Sequence, residues 1–173
     1  VTGVQTCALP ILKTYFLNVS GERGAIIMKQ YKRVFAALDG GSTQEEVAQR
    51  AIQIAALNHA ELMLGHVIDS VPDSLTGTDY QELAQTIQNR LEDSLGDILK
   101  DARNNPDIPS IEVVVKVGRI QETIHNLMIK PFNPDIVVCG ERGLSNITYV
   151  FVGSVSTYLI RNLRCDVLVV KQD

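Results

Sequence analysis

The sequence contains no tryptophan, and aromatic residues make up only 5% of its 173 residues. Basic residues are also outnumbered, with Lys plus Arg at 16 against Asp plus Glu at 20. Few stacking side chains and no excess of positive charge exclude general nucleic-acid binding, which needs clustered Lys and Arg against phosphates. Long apolar runs are missing too. None approaches the roughly 18 residues of a membrane span, so no membrane partner is expected. Cysteine is scarce: Cys7, Cys139 and Cys165 form no C-x-x-C pair, and none of the three histidines lies at ligand spacing from them. Neither a metal site nor a disulfide framework is expected. Cys139 and Cys165 edge apolar runs, where a thiol behaves as a small hydrophobe. Reduced thiols suit a cytoplasmic setting. What is present is ordinary: 45% apolar residues, 21% charged and a net charge of −4. That composition fits one ordinary globular domain and argues against disorder.

The first 28 residues are expected to stand outside the fold. Val1–Ile11 reads VTGVQTCALPI, which resembles the forward translation of a short-read sequencing adapter. Residues 12–27 show no sustained periodicity. Gly21-Glu22-Arg23-Gly24 can be encoded by a purine-rich run just ahead of Met28, where a bacterial ribosome-binding site would lie. The expectation is a translated leader, with Met28 as the true start and one domain over residues 29–173. A signal peptide is not read here, because no apolar core or small-residue cleavage site appears.

From there apolar runs alternate with helical patterns. Arg33–Leu38 is a short strand ending in the turn Asp39-Gly40-Gly41-Ser42. Ser42-x-x-Glu45 and Thr43-x-x-Glu46 read as capping boxes for a helix with Val47, Ala51, Ile54 and Ala55 on one face. Leu62–Ile68 is a second strand. A long helix follows with Leu83, Ile87, Leu91, Leu95 and Ile98 in a stripe, stopped by Asn104-Asn105-Pro106. Ile111–Val117 is a third strand. Ile120, Ile124, Leu127 and Met128 stripe a third helix. Ile136–Gly140 is a fourth strand, Ser154–Leu163 a fourth helix, and Val167–Val170 a fifth strand. Strands apolar on both faces, alternating with helices, imply a doubly wound α/β domain with a parallel sheet. Ligands in such sheets bind beyond the strands' carboxyl ends, where the winding reverses. The loops after strands one and four, Asp39–Thr43 and Gly140–Gly153, are therefore the candidate site.

The second of these loops carries the chemistry. It reads Gly140-Glu141-Arg142-Gly143, then nine residues, then Gly153-Ser154 where the fourth helix begins. Glycines let backbone approach a ligand. The helix N-terminus offers unpaired N–H groups and partial positive charge to a phosphate. The Ser154 hydroxyl can add a donor, and Arg142 a charge-assisted bond. A plain turn at Gly140 and Gly143, with Ser154 as a helix cap, is the bland alternative.

Gly140, Gly143, Gly153 and Ser154 satisfy G-x2-G-x9-G-S/T. With IVVCG before it and GSVSTYLIRNLRCDVLVVK after it, the sequence resembles the nucleotide-binding subgroup of the universal stress protein A family. AALDGG and GHVID resemble that family's first and second strand ends, and the likeness spans Lys29 to Lys171. It implies an adenine nucleotide alpha hydrolase-like sheet of five parallel strands, order 3-2-1-4-5. It also implies a pocket for ATP, ADP or AMP, with Mg²⁺ held mainly by the phosphates. Asp39 resembles the adenine-contacting position, with Ala37 and Gly40 beside it. Val67 resembles the residue lining base and ribose. Cys139, Gly140, Arg142 and Gly143 match positions around ribose and phosphates. Gly153, Ser154 and Val155 match the phosphate cradle. Two departures stand out: Glu141 replaces a small residue, and residues 144–152 carry no basic side chain. Both point to weak binding of ATP or to a ligand with fewer phosphates. The resemblance further implies a homodimer through the edge strand Val167, Leu168, Val169 and Val170.

Other nucleotide folds fail on specifics. No GxxxxGK[ST] occurs, and DGGST lacks the GxGxxG of a dinucleotide site. A receiver domain would need an aspartate where the third strand ends in Val117-Gly118-Arg119. No Ser/His/Asp or Cys/His trio can be assigned. The expectation is a nucleotide-binding regulatory protein with at most slow ATP hydrolysis. A weak ATPase or phosphotransferase, and a nucleotide-free interaction protein, are the alternatives.

Overall fold

The computed structural model describes residues 15–17, 23–25, 30–69, 77–141 and 153–171. The chain divides into two compact units, Val1–Gln30 and Tyr31–Asp173. In the first, Tyr15–Leu17 pairs antiparallel with Arg23–Ala25, Tyr15 standing opposite Ala25.

The second unit is built on five parallel strands: β1 (Arg33–Leu38), β2 (Glu61–Ile68), β3 (Ile111–Val117), β4 (Ile136–Gly140) and β5 (Asp166–Val170). Their order is β3-β2-β1-β4-β5, the expected 3-2-1-4-5. Period-two alternation sends successive side chains to opposite faces. Val34, Ala36 and Leu38 of β1 join Leu62, Leu64, Val113, Val115, Ile136 and Val138 beneath one pair of helices. These are α1 (Gln44–Asn58) and α2 (Gly77–Arg103). Phe35, Met63, Val67, Val137 and Cys139 point the other way, under the second pair. Those are α3, running Ile120–Thr123, Ile124–Ile129 and Lys130–Phe132, and α4 (Ser154–Asn162). Both faces are thus buried, which is why the strands read as nearly continuous apolar runs.

The helices correct the sequence reading in three places. The Thr43 capping box does not form: Thr43 is the N-cap residue of α1 but makes no side-chain cap bond. Its φ of −86° and ψ of 0° are helical, whereas a capping side chain needs an extended N-cap. In α2, Gly96 is non-helical (φ 38°, ψ −116°) and breaks the helix into two segments. The buried stripe beyond it is Leu99 and Ala102, and Ile98 is only half-buried. In α3, Ile124–Ile129 is a π-helical stretch in which the Lys130 N–H donates to the His125 carbonyl. Pro131 follows, with no N–H of its own and a ring that would crowd the Leu127 carbonyl of an α-helix. The wider turn rotates Leu127 off the core face, where it is 57% exposed, while Met128 stays buried.

Candidate functional site

A cavity of about 280 Å³ opens at the carboxyl ends of β1, β2 and β4, where the winding reverses. Ala37, Leu38 and Asp39 enter it from β1. His66, Val67, Ile68 and Asp69 enter from β2, and Cys139 and Gly140 from β4. Ile120 and Ile124 close it from α3, and Gly153, Val155 and Ser156 from the start of α4. The wall is apolar where Ala37, Val67, Ile120, Ile124 and Val155 meet. Its charge comes from Asp39 and Asp69, and among the described lining residues there is no lysine or arginine.

The backbone explains the opening. Gly40, at φ 75°, turns the chain between β1 and α1. The Gly41 N–H donates to Asp39 Oδ1 at 2.8 Å, folding that carboxylate onto its own turn. Gly140 ends β4 so close to α1 that a Cβ there would lie 2.7 Å from Thr43 Oγ1 and 3.4 Å from Val47 Cγ2. Any side chain would push the two loops apart. At the far wall, the first backbone bond of α4 is the Thr157 N–H to the Gly153 carbonyl, 2.8 Å. The amides of Ser154, Val155 and Ser156 therefore have no acceptor within the helix. Gly153 makes no side-chain cap bond to them.

The structure brings Ala37, Asp39, Val67, Cys139, Gly140, Gly153 and Val155 together around this cavity. Gly40 and Ser154 sit beside it without lining it. Ser154 is exposed, and its carbonyl faces Gln121 Nε2 at 3.5 Å. Arg142 and Gly143 lie outside the described residues. Sequence reasoning passed over Ser156, which is buried and donates from Oγ to the Gly140 carbonyl at 2.8 Å, tying α4 to the end of β4. No motif singles it out. Ile120 and Ile124 belong to the core stripe in sequence and also line the cavity. The signal for their second role is their position within the first turns after β3, next to a switch point. His66 is held by its Nδ1, 2.9 Å from the Leu38 carbonyl oxygen. Burial pushes the Cys139 thiol above its ordinary pKa, with the Ser156 hydroxyl acting in the opposite sense. A protonated, apolar thiol is what a cavity wall needs, and it is a poor nucleophile.

This fold has counterparts among known proteins. Residues 30–171 match the sequence profile of the universal stress protein family. The chain is 32% identical to the universal stress protein Sll1388 of Synechocystis sp., over 82% of this chain and 98% of that one. Its fold resembles the universal stress protein UspA from Lactobacillus plantarum, with a TM-score of 0.66 at 20% identity, over 83% and 99% of the two chains. It also resembles a universal stress protein solved in complex with cAMP, with a TM-score of 0.61 at 25% identity, over 84% and 100%. The protein belongs to the universal stress protein family.

Proposed function

We propose that this protein binds an adenine nucleotide in the cavity between β1, β2, β4 and α4, and that occupancy regulates a partner or dimer surface. One observation carries the reading: an apolar slot, a carboxylate at its rim and the first turn of α4, whose leading amides have no acceptor within the helix, meet at a single cavity. A flat base packs against Val67, Ala37 and Ile124, and Asp39 accepts from the exocyclic amine. Phosphate oxygens meet the amides of Ser154, Val155 and Ser156, approached closely because Gly140 and Gly153 have no side chains. Gly40 shapes the Asp39 turn. Arg142 and Gly143 add to the phosphate side by their place in the motif, and Cys139 forms the floor.

Among the described residues no group of three or more His, Cys, Asp or Glu stands together as a metal site. Mg²⁺ would therefore travel with the phosphates, bound by their oxygens and water. The acidic lining, the size of the cavity and the charge of Glu141, next in sequence to the lining residue Gly140, all favour few phosphates over three. The ligand of the related protein solved with cAMP has a single phosphate, which agrees with that preference.

The partner surface we assign is the edge strand β5. Among the described residues it pairs with β4 alone, and Val167, Leu168, Val169 and Val170 are half-buried. Such an edge invites a second copy. Reduced Cys139 suits action in the cytoplasm.

The test is direct. Purified protein is checked for co-purified nucleotide, then titrated calorimetrically with ATP, ADP, AMP and cyclic AMP. Saturable binding of at least one adenine nucleotide is expected, tighter for the monophosphates. Gly153→Val should remove it with the fold intact. No binding at millimolar concentration overturns the reading, and sustained turnover above background would make the protein an enzyme.

A further inference from the structure

We propose that His66 is a positioning residue for the cavity, fixing the β1–α1 turn that presents the Asp39 carboxylate. The inference deepens the adenine-nucleotide reading and rests on it only for its ligand arm. His66 and Leu38 are register partners at the ends of β2 and β1. The His66 ring reaches across that pair, and its Nδ1 lies 2.9 Å from the Leu38 carbonyl oxygen. A carbonyl can only accept, so Nδ1 carries the hydrogen and donates it. That carbonyl belongs to the peptide unit joining Leu38 to Asp39. The bond therefore holds the chain immediately ahead of the carboxylate.

The same ring also guards the turn from outside. A Cβ at Gly40 would lie 3.7 Å from His66 Cε1, so the imidazole edge packs along the left-handed residue. On the other side of Asp39, the Gly41 N–H engages Oδ1 at 2.8 Å. The aspartate is thus pinned before and behind, by His66 and by its own side chain. An apolar residue at 66 would keep the packing and lose the donor. An asparagine would keep a donor near the Nδ1 position with a smaller side chain.

The experiment compares His66→Leu, His66→Asn and the wild type, each confirmed folded by thermal denaturation. In the absence of nucleotide, NMR measures the water exchange of the Gly41 amide, which reports the Asp39 bond. His66→Leu should speed that exchange by roughly threefold to tenfold, the worth of one hydrogen bond, and His66→Asn should restore most of it. Unchanged Gly41 exchange in the leucine variant overturns the proposal, whatever the ligand results. In the ligand arm, AMP and inosine monophosphate are titrated into each form. Wild type should prefer AMP, because Asp39 accepts from its amine. His66→Leu should lower AMP affinity by a similar factor and leave inosine monophosphate nearly unchanged, with recovery in His66→Asn. Equal losses for both ligands would also overturn it. A wild type that binds neither ligand sinks the nucleotide reading alone, and the Gly41 exchange still decides on His66. Should the leucine variant fail to fold, His66→Gln takes its place, since its amide falls near the far ring nitrogen.

Discussion

Gly65→Ala is the sharpest test of how the sheet supports the site. Gly65 lies in the middle of β2, one residue before His66 and two before Val67. A Cβ placed there would fall 2.5 Å from Phe35 Cζ, 2.8 Å from Cε2 and 3.0 Å from Met128 Sδ. Carbon atoms prefer about 3.5–4.0 Å, so the ring must retreat by about 1 Å. Met128 can yield by changing rotamer, but Phe35 is fully buried between the sheet and α3. Overpacking of this kind costs about 1–3 kcal/mol, and a rigid ring with no room behind it points to the upper half of that range. With a urea m-value of about 2 kcal/mol/M, the midpoint should fall by about 1 M at unchanged m. Phe35→Leu relieves the collision, so the double variant should be more stable than the two losses added, by at least about 0.5 kcal/mol. Urea denaturation followed by circular dichroism on the four proteins measures all of this. A Gly65→Ala midpoint equal to wild type, or strictly additive losses, would refute the packing argument.

Three further outcomes are expected. Burial raises the Cys139 thiol in the folded state, so its contribution is complete below the ordinary thiol pKa and is lost as pH rises through the raised value. Stability should therefore decline above about pH 8.5, and less steeply in Cys139→Ala, by up to about 1.4 kcal/mol per pH unit, as read from urea midpoints across pH. Asp135 Oδ2 accepts the backbone N–H groups of Lys32 at 2.7 Å and Arg33 at 3.0 Å, joining the starts of β1 and β4. Asp135→Ala leaves both donors to water and should cost about 1–2 kcal/mol in the same assay. We also propose that residues 1–28 are no part of the α/β unit. A chain starting at Met28 should keep the melting temperature of the longer one, and a drop of several degrees in calorimetry would contradict this.

The fold was legible because its signals are redundant. Each strand was a run apolar on both faces, and each intervening pattern repeated at helical spacing, so the alternation survived local errors. Arg33–Leu38, Ile111–Val117 and Ile136–Gly140 stand where the sequence sets them. What failed was phase and capping. A periodic stripe assumes a constant turn, but Gly96 breaks α2 and the π-helical stretch before Pro131 widens α3. Leu127 was therefore given the core place that the wider helix denies it. The Thr43 capping box failed because Thr43 is buried with its side chain against Gly140 and its backbone in a helical conformation, not the extended one that capping needs.

The cavity was legible only where chemistry leaves a spacing. Glycines at fixed intervals ahead of a helix are visible in one dimension, because close backbone approach, as to the ligand proposed above, demands them. Side chains that reach the same space from other elements leave no such trace. Ser156 sits two residues past the motif and reads as one more polar helix residue, yet its hydroxyl bridges α4 to the Gly140 carbonyl. His66 reads as a packed strand residue or a neighbour of the site, with nothing to show that its ring nitrogen reaches the peptide ahead of Asp39. Both act on the backbone that carries the glycines and the aspartate. The motif supplies atoms able to approach an anion and a base, and residues outside it hold those atoms in place. A variant series confined to the glycine motif would therefore miss the groups that set the cavity's geometry. Substitutions at Ser156 and His66 should move affinity without removing any group that the motif names.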